Sequence, residues 1–145
     1  MFSDQGLSLT PNPLQLRAAV AIIMRGDQFL AIKRSQTVRA PGKICFPGGG
    51  VEVGETIQQA LIREMSEELN IVVTPLEFVW QSHSVRGFEL NWWKADLGDG
   101  QLITPNDEEV ESFHWMTKTE MVAAPDLLDS NVDFFAAHDL GEFEL

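Results

Sequence analysis

The sequence predicts an α/β fold in one domain spanning residues 1–145. Three observations carry this. The chain has 145 residues, 44% hydrophobic and 22% charged, which is enough for one real core with the balance of a globular protein. Short apolar runs separated by Gly, Pro, Asn and Asp read as strands joined by turns. Among them lie a helix-like segment after Thr56 and two more towards the C-terminus.

In chain order, residues 1–16, with Pro11 and Pro13 and little periodicity, read as a loose arm. Ala18 to Met24 reads as a buried strand that turns at Gly26-Asp27 and returns over Gln28 to Arg34, a hairpin. "QTVRAPGK" reads as a loop and Ile44 to Phe46 as a short strand. Thr56 with Gln59 forms a capping-box pattern, and Asn70 supplies a stop, so a helix is predicted over 57–69. Ile71 to Val85 reads as a strand that Pro75 bends or confines to a sheet edge. A further strand follows over Phe88 to Leu97, then a turn at "GDG", 98–100. Thr104 to Glu109 is an acidic loop and Ser112 to Met116 a short strand. Thr117 and Glu120 offer a second capping box, and a last helix runs from about Ser130 to His138 before an acidic tail.

Composition excludes several function classes. A net charge of −12 argues against a nucleic-acid polymer or an anionic membrane as partner, while leaving room for an anionic small molecule bridged by a cation. Four of the ten basic residues, Lys33, Arg34, Arg39 and Lys43, lie in one short stretch before three glycines. The single cysteine, Cys45, rules out an intramolecular disulfide framework and reads as a small buried residue. The N-terminal "MFSDQGLSLTPNP" lacks the basic and apolar regions of a signal peptide, and no apolar run approaches the roughly 20 residues that cross a bilayer. A cytoplasmic location is expected.

The most informative stretch is "FPGGGVEVGETIQQALIREMSEELNI", Phe46 to Ile71. On a helix, Glu64, Glu67 and Glu68 fall within about a 100° arc beside the face of Leu61, Ile62, Met65 and Leu69, which should meet the core. Like charges at this spacing repel, and the helix C-terminus disfavours anions. A solvated acidic face tolerates such a pattern; a divalent cation removes its penalty. The ligands are hard oxygens, suited to Mg²⁺ or Mn²⁺. Zinc does not fit, because His83, His114 and His138 are far apart and there is one cysteine. Gly48, Gly49 and Gly50 allow φ > 0 and close approach of backbone to a ligand, so a backbone carbonyl there can complete a metal shell. Arg63 is placed to pair with a neighbouring carboxylate.

Together these residues resemble the Nudix hydrolase box, G-x5-E-x7-R-E-U-x-E-E-x-G-U, in which U is a bulky apolar residue. The chain supplies Gly49, Glu55, Arg63, Glu64, Met65, Glu67, Glu68, Asn70 and Ile71, with Asn70 in place of the second Gly. The likeness extends over roughly 17–140. It implies a Nudix-type α/β/α sandwich with a central mixed sheet and a loop–helix–loop catalytic motif. It further implies Glu64, Glu67, Glu68 and the Gly48 carbonyl as metal ligands, Arg63 as an orienting residue, and Glu55 as a brace. Family members hydrolyse a nucleoside diphosphate linked to another group. Glu67 or Glu68 is the first candidate for general base, and Glu108 or Glu109 in "TPNDEEVESFHW" the second.

Arg34 and Arg39, with Lys43, are placed to meet phosphate, and Trp80, Phe88, Trp92, Trp93 and Trp115 offer faces for a base or for the core. Within the family, the chain is similar to the MutT-like branch. "FVWQSH" and the C-terminal part also resemble GDP-mannose mannosyl hydrolases, and the stretch before the box loosely resembles coenzyme A pyrophosphatases. A Nudix-fold binding module without turnover is the rival reading, and a homodimer is compatible with the fold.

Overall fold

The computed structural model describes residues 16–145. The arm read over 1–16 lies, but for its last residue, outside them. Eight strands and three helices follow: β1 (Arg17–Ile22), β2 (Met24–Arg25), β3 (Gln28–Arg34), β4 (Ile44–Cys45), β5 (Gly48–Gly50), α1 (Ile57–Leu69), β6 (Thr74–His83), β7 (Glu89–Asp96), β8 (Val110–Thr117), α2 (Lys118–Ala123) and α3 (Asp129–Asp139).

One sheet is mixed, in the order β5-β1-β7-β6, with β1 and β7 parallel and the other neighbours antiparallel. In the second, β3 pairs antiparallel with β2, β4 and β8. The chain passes from the first sheet to the second at Ile23. Only Met24 and Arg25 pair with β3, joined by a bond from the Leu30 N–H to the Ile23 carbonyl at 2.8 Å. The expected hairpin is therefore confined to its tip, because β1 is already flanked by β5 and β7.

Period-two alternation on the central strands makes the sandwich. Ala19 and Ala21 of β1, Leu30 and Ile32 of β3, and Ala95 of β7 face one core with Ile57, Ala60, Leu61, Met65 and Leu69 of α1. Their neighbours Ile22, Phe29, Ala31, Leu90 and Trp92 face the other, with Met121 of α2 and Phe134 and Phe135 of α3. That second core is aromatic: Trp92 stacks on Phe134 at 4.6 Å, and Phe46 meets Phe134 edge-on at 5.3 Å. Trp92 and Trp93 point to opposite faces, the first buried and the second half-buried.

Helix α1 has the predicted bounds. Both bonds of the Thr56–Gln59 capping box are present, and Asn70 takes the left-handed conformation, φ 56°. Ile62, expected in the core, is exposed. Pro75 lies on β6, the edge of its sheet, beside a register shift between Pro75 and Glu77, so both expectations for it hold. The three glycines form a strand rather than a loop, and none has positive φ.

Candidate active site

The reason for glycine at this strand is contact rather than φ. A Cβ on Gly48 would stand 2.2 Å from the Ala19 carbonyl oxygen of β1. A Cβ on Gly49 would stand 2.3 Å from the Glu64 carboxyl carbon. Absent side chains thus let β5 lie against β1 and let Glu64 of α1 fold under the strand.

Arg63 ties the same strand to the helix. Its Nη2 donates to the Gly50 carbonyl at 2.8 Å, and its Nε and Nη2 make a two-pronged contact with Glu55 at 2.7 and 3.0 Å. Nη1 donates to Glu64 at 2.9 Å and to Glu67 at 3.2 Å. The Arg63 bond holds the Glu55 carboxyl below its usual range, and the carboxylates raise the Arg63 guanidinium above its own. This is more than a surface pair.

Adjacent residues on a helix diverge by about 100°, so Glu67 and Glu68 cannot point the same way. Glu68 turns inward with Glu64, both buried, while Glu67 stays exposed against Arg63. The partner that joins them is Glu109. One carboxylate oxygen from each of Glu64, Glu68 and Glu109 lies within 4.8 Å of the others. Burial pushes the Glu64 carboxyl up, against the pull of Arg63. Glu68 is raised well above the usual range, first by burial and then by the charges of Glu64 and Glu109. Its Oε1 is buried without a hydrogen-bond partner.

Glu109 arrives by way of the helix end. The C-terminal carbonyls of α1 lack intrahelical donors. Thr104 N–H donates to the Leu69 carbonyl at 2.9 Å and Asn106 N–H to the Glu68 carbonyl at 2.8 Å. Asn70 Nδ2 donates to the Thr104 carbonyl at 2.6 Å. From the other side, Ser35 N–H donates to the Glu109 carbonyl at 3.0 Å. Glu108 is exposed and outside the cluster; its carbonyl accepts from Ser35 and Thr37.

The carboxylates open into a cleft of about 400 Å³. The glycine strand and the acids line it together with Arg34, Arg39 and Arg86, the apolar residues Val20, Phe88 and Leu90, and residues from the start of α3. Lys43 is not part of the lining. Of the five aromatics considered for stacking, Phe88 and Trp92 border the cleft, and Trp92 is committed to the core. Trp80 packs on Trp92 and Phe143, Trp93 on Phe78, and Trp115 lies under Arg25.

Among the lining residues that escaped the sequence reading, two stand out. Arg86 sits in the β6–β7 turn, where an isolated arginine carries no pattern. Asn131 is buried in α3, with its Nδ2 unpartnered. A polar residue inside an apolar helical run was the only signal it offered.

Comparison with known proteins places the chain in a family. A segment of 112 residues is 28% identical to the NAD-capped RNA hydrolase NudC of Pseudomonas aeruginosa, covering 73% of this chain but 37% of that protein. The chain thus spans little more than a third of that relative. The CTP pyrophosphohydrolase of Escherichia coli K12 is 32% identical over 114 residues, covering 76% of this chain and 82% of it. The crystal structure of a MutT protein from Methanosarcina mazei Go1 superposes with a TM-score of 0.72 at 22% identity, covering 89% of this chain and 96% of that one, which speaks to the fold. The NUDIX domain model matches residues 14–137, and the chain belongs to the Nudix family.

Proposed function

We propose that this chain is a divalent-cation-dependent hydrolase that cleaves the pyrophosphate bond of a nucleoside diphosphate linked to another group, by attack of water at phosphorus. The convergence of Glu64, Glu68 and Glu109 on one cleft carries this reading. Three carboxyl groups so close, two of them buried and one with an oxygen lacking any donor, cannot all stay ionised unless a cation joins them. Their hard oxygens fit Mg²⁺ or Mn²⁺. Glu64 and Glu68, with the Gly48 carbonyl, would hold the ion; Glu67, bonded to Arg63, braces Arg63 instead. A divalent cation bound there neutralises pyrophosphate oxygens and acidifies water.

The remaining roles belong to the chain itself. Arg63 fixes Glu64 in direction through its bond at 2.9 Å. Glu109 is the least buried of the three carboxylates and comes from a loop, so we assign it as the general base, a role worth about 10²–10⁴ in rate. Arg34 and Arg39 meet phosphate oxygens. Asn131 Nδ2 offers a donor to a base carbonyl or ring nitrogen in the cleft, which would relieve its unpaired state. The net charge of −12 supports a small nucleotide over a nucleic-acid chain as substrate.

Hydrolysis in ¹⁸O-water tests the chemistry. Label is expected in a phosphate-bearing product, and E109Q is expected to lower kcat by about 10²–10⁴ with little change in nucleotide affinity. Label found only on the non-phosphate product would contradict attack at phosphorus.

A further inference from the structure

The cleft that holds the carboxylates also carries the opposite charge. Arg34 ends β3, Arg39 lies in the loop that follows, and Arg86 stands in the turn between β6 and β7, yet all three line the same cleft. They are close enough to feel one another. The Arg39 guanidinium is held below its usual value first by burial, then by the charges of Arg86 and Arg34.

Such crowding is unfavourable, and the chain has ample means to relieve it. It carries 22 Asp and Glu residues against ten Lys and Arg. Among the described residues, Arg17 and Arg63 form ion pairs with glutamates, whereas Arg34, Arg39 and Arg86 form none. Arg34 has partners that aim it without cancelling its charge. Its Nε donates to the Arg39 carbonyl at 2.7 Å, and it lies beside the buried Cys45. Asp129 and Asp133 border the cleft on the α3 side without pairing to any of the three. Three cations from two separate segments, lining one cleft of an acidic protein and left without an ion pair, are complementary to a highly charged anion.

We propose that Arg34, Arg39 and Arg86 form a subsite for an additional ionised phosphate. Through it the protein selects nucleotides bearing a chain of three or more phosphates over nucleotides whose second phosphate carries a neutral sugar. This rests on the hydrolase reading above and names the substrate class within it. The chemistry favours phosphate over other anions. A terminal phosphate carries close to two charges and three acceptor oxygens, matched to planar guanidinium forks. A neutral hexose in the same place would leave the arginines uncompensated while displacing their water.

The test compares kcat/KM for a nucleoside triphosphate and the nucleoside diphosphate hexose of the same base, with Mg²⁺. Wild type should prefer the triphosphate by at least about tenfold, and R39Q and R86Q should each remove most of that preference, mainly through KM. Neither residue belongs to either core, so the fold is not at risk. R86K should keep part of the preference, having the charge without the fork. Equal use of both compounds by wild type, or a preference unaltered in R39Q and R86Q, overturns the subsite while leaving the hydrolase reading intact. Calorimetry with inorganic tripolyphosphate and pyrophosphate reads the subsite without turnover. Tripolyphosphate should bind about tenfold tighter to wild type and lose that margin in R86Q. If wild type hydrolyses neither nucleotide yet shows this margin, the subsite stands apart from turnover; without the margin the subsite falls.

Discussion

Gly48, Gly49 and Gly50 are alike in sequence and differ in what their missing side chains permit. The Cβ of G48A would meet the backbone of β1, which cannot yield without opening the sheet, so G48A should be strongly destabilised. The Cβ of G49A would meet the Glu64 carboxyl, the movable end of a side chain, so G49A should fold and lose cation affinity. Nothing lies within 4 Å of a Cβ on Gly50, so G50A should resemble wild type. Thermal unfolding with and without Mg²⁺ separates the three. The sequence shows that glycines are needed here; which glycine serves which purpose depends on β1 and α1 meeting around them, and no local pattern encodes that.

Glu68 carries the clearest pH signature. In the cation-free protein its carboxyl is raised well above the usual value, so the native state keeps a proton that the unfolded state releases above about pH 4.3. More protons on the native state mean that stability falls as pH rises from there through the native value. With a chelator present, Tm should therefore drop between about pH 5 and about pH 8 in wild type, and drop less in E68Q. Mg²⁺ should restore wild-type Tm at the higher pH and leave E68Q unmoved. A chelated wild type that gains stability over this range would contradict the burial of an uncompensated carboxylate.

At the scale of elements, the bounds of α1 were legible because its signals are local, a capping box and an αL stop, while its apolar stripe was legible except at Ile62, which is exposed. The placement of β6 at an edge was legible from Pro75. Register and pairing were not. The hairpin expected between β1 and β3 shrinks to its tip, since a parallel partner about 70 residues away, β7, takes the place beside β1. The same limit applies to the site. Glu64 and Glu68 follow from helix geometry, whereas Glu109 joins them only through hydrogen bonds between the acidic loop and the end of α1. Asn70 belongs to that connection as well as to the cap, which gives its departure from the family's glycine a consequence. N70G keeps the left-handed cap and loses the bond to Thr104, so stability should fall by about 0.5–1.5 kcal/mol in denaturant titration, with kcat reduced as Glu109 loosens. Unchanged stability and kcat would assign Asn70 to the cap alone.

Over the whole molecule, the two cores differ in chemistry and so does what they support. The aliphatic core under α1 holds the carboxylate helix against β1 and β5, and the aromatic core under α3 backs the apolar part of the cleft. Net charge is uneven in the same sense: acids dominate the chain, and three arginines without ion pairs, two from one stretch and one from a distant turn, collect along the cleft. Arg34 and Arg39 were visible as part of a basic stretch, but Arg86 became meaningful only when the β6–β7 turn was brought beside them. The central claim is that the acidic cluster binds a divalent cation in order to hydrolyse a nucleotide pyrophosphate bond. Phosphate release across a panel of nucleoside triphosphates, nucleotide sugars and dinucleotides, with Mg²⁺, Mn²⁺ or chelator, tests it most directly. Turnover of at least one compound with cation, none with chelator, and loss of turnover with retained nucleotide binding in E68Q is the predicted result. No hydrolysis of any compound with either cation, while wild type and E68Q bind nucleotide equally well, would contradict it and leave a binding module in place of an enzyme.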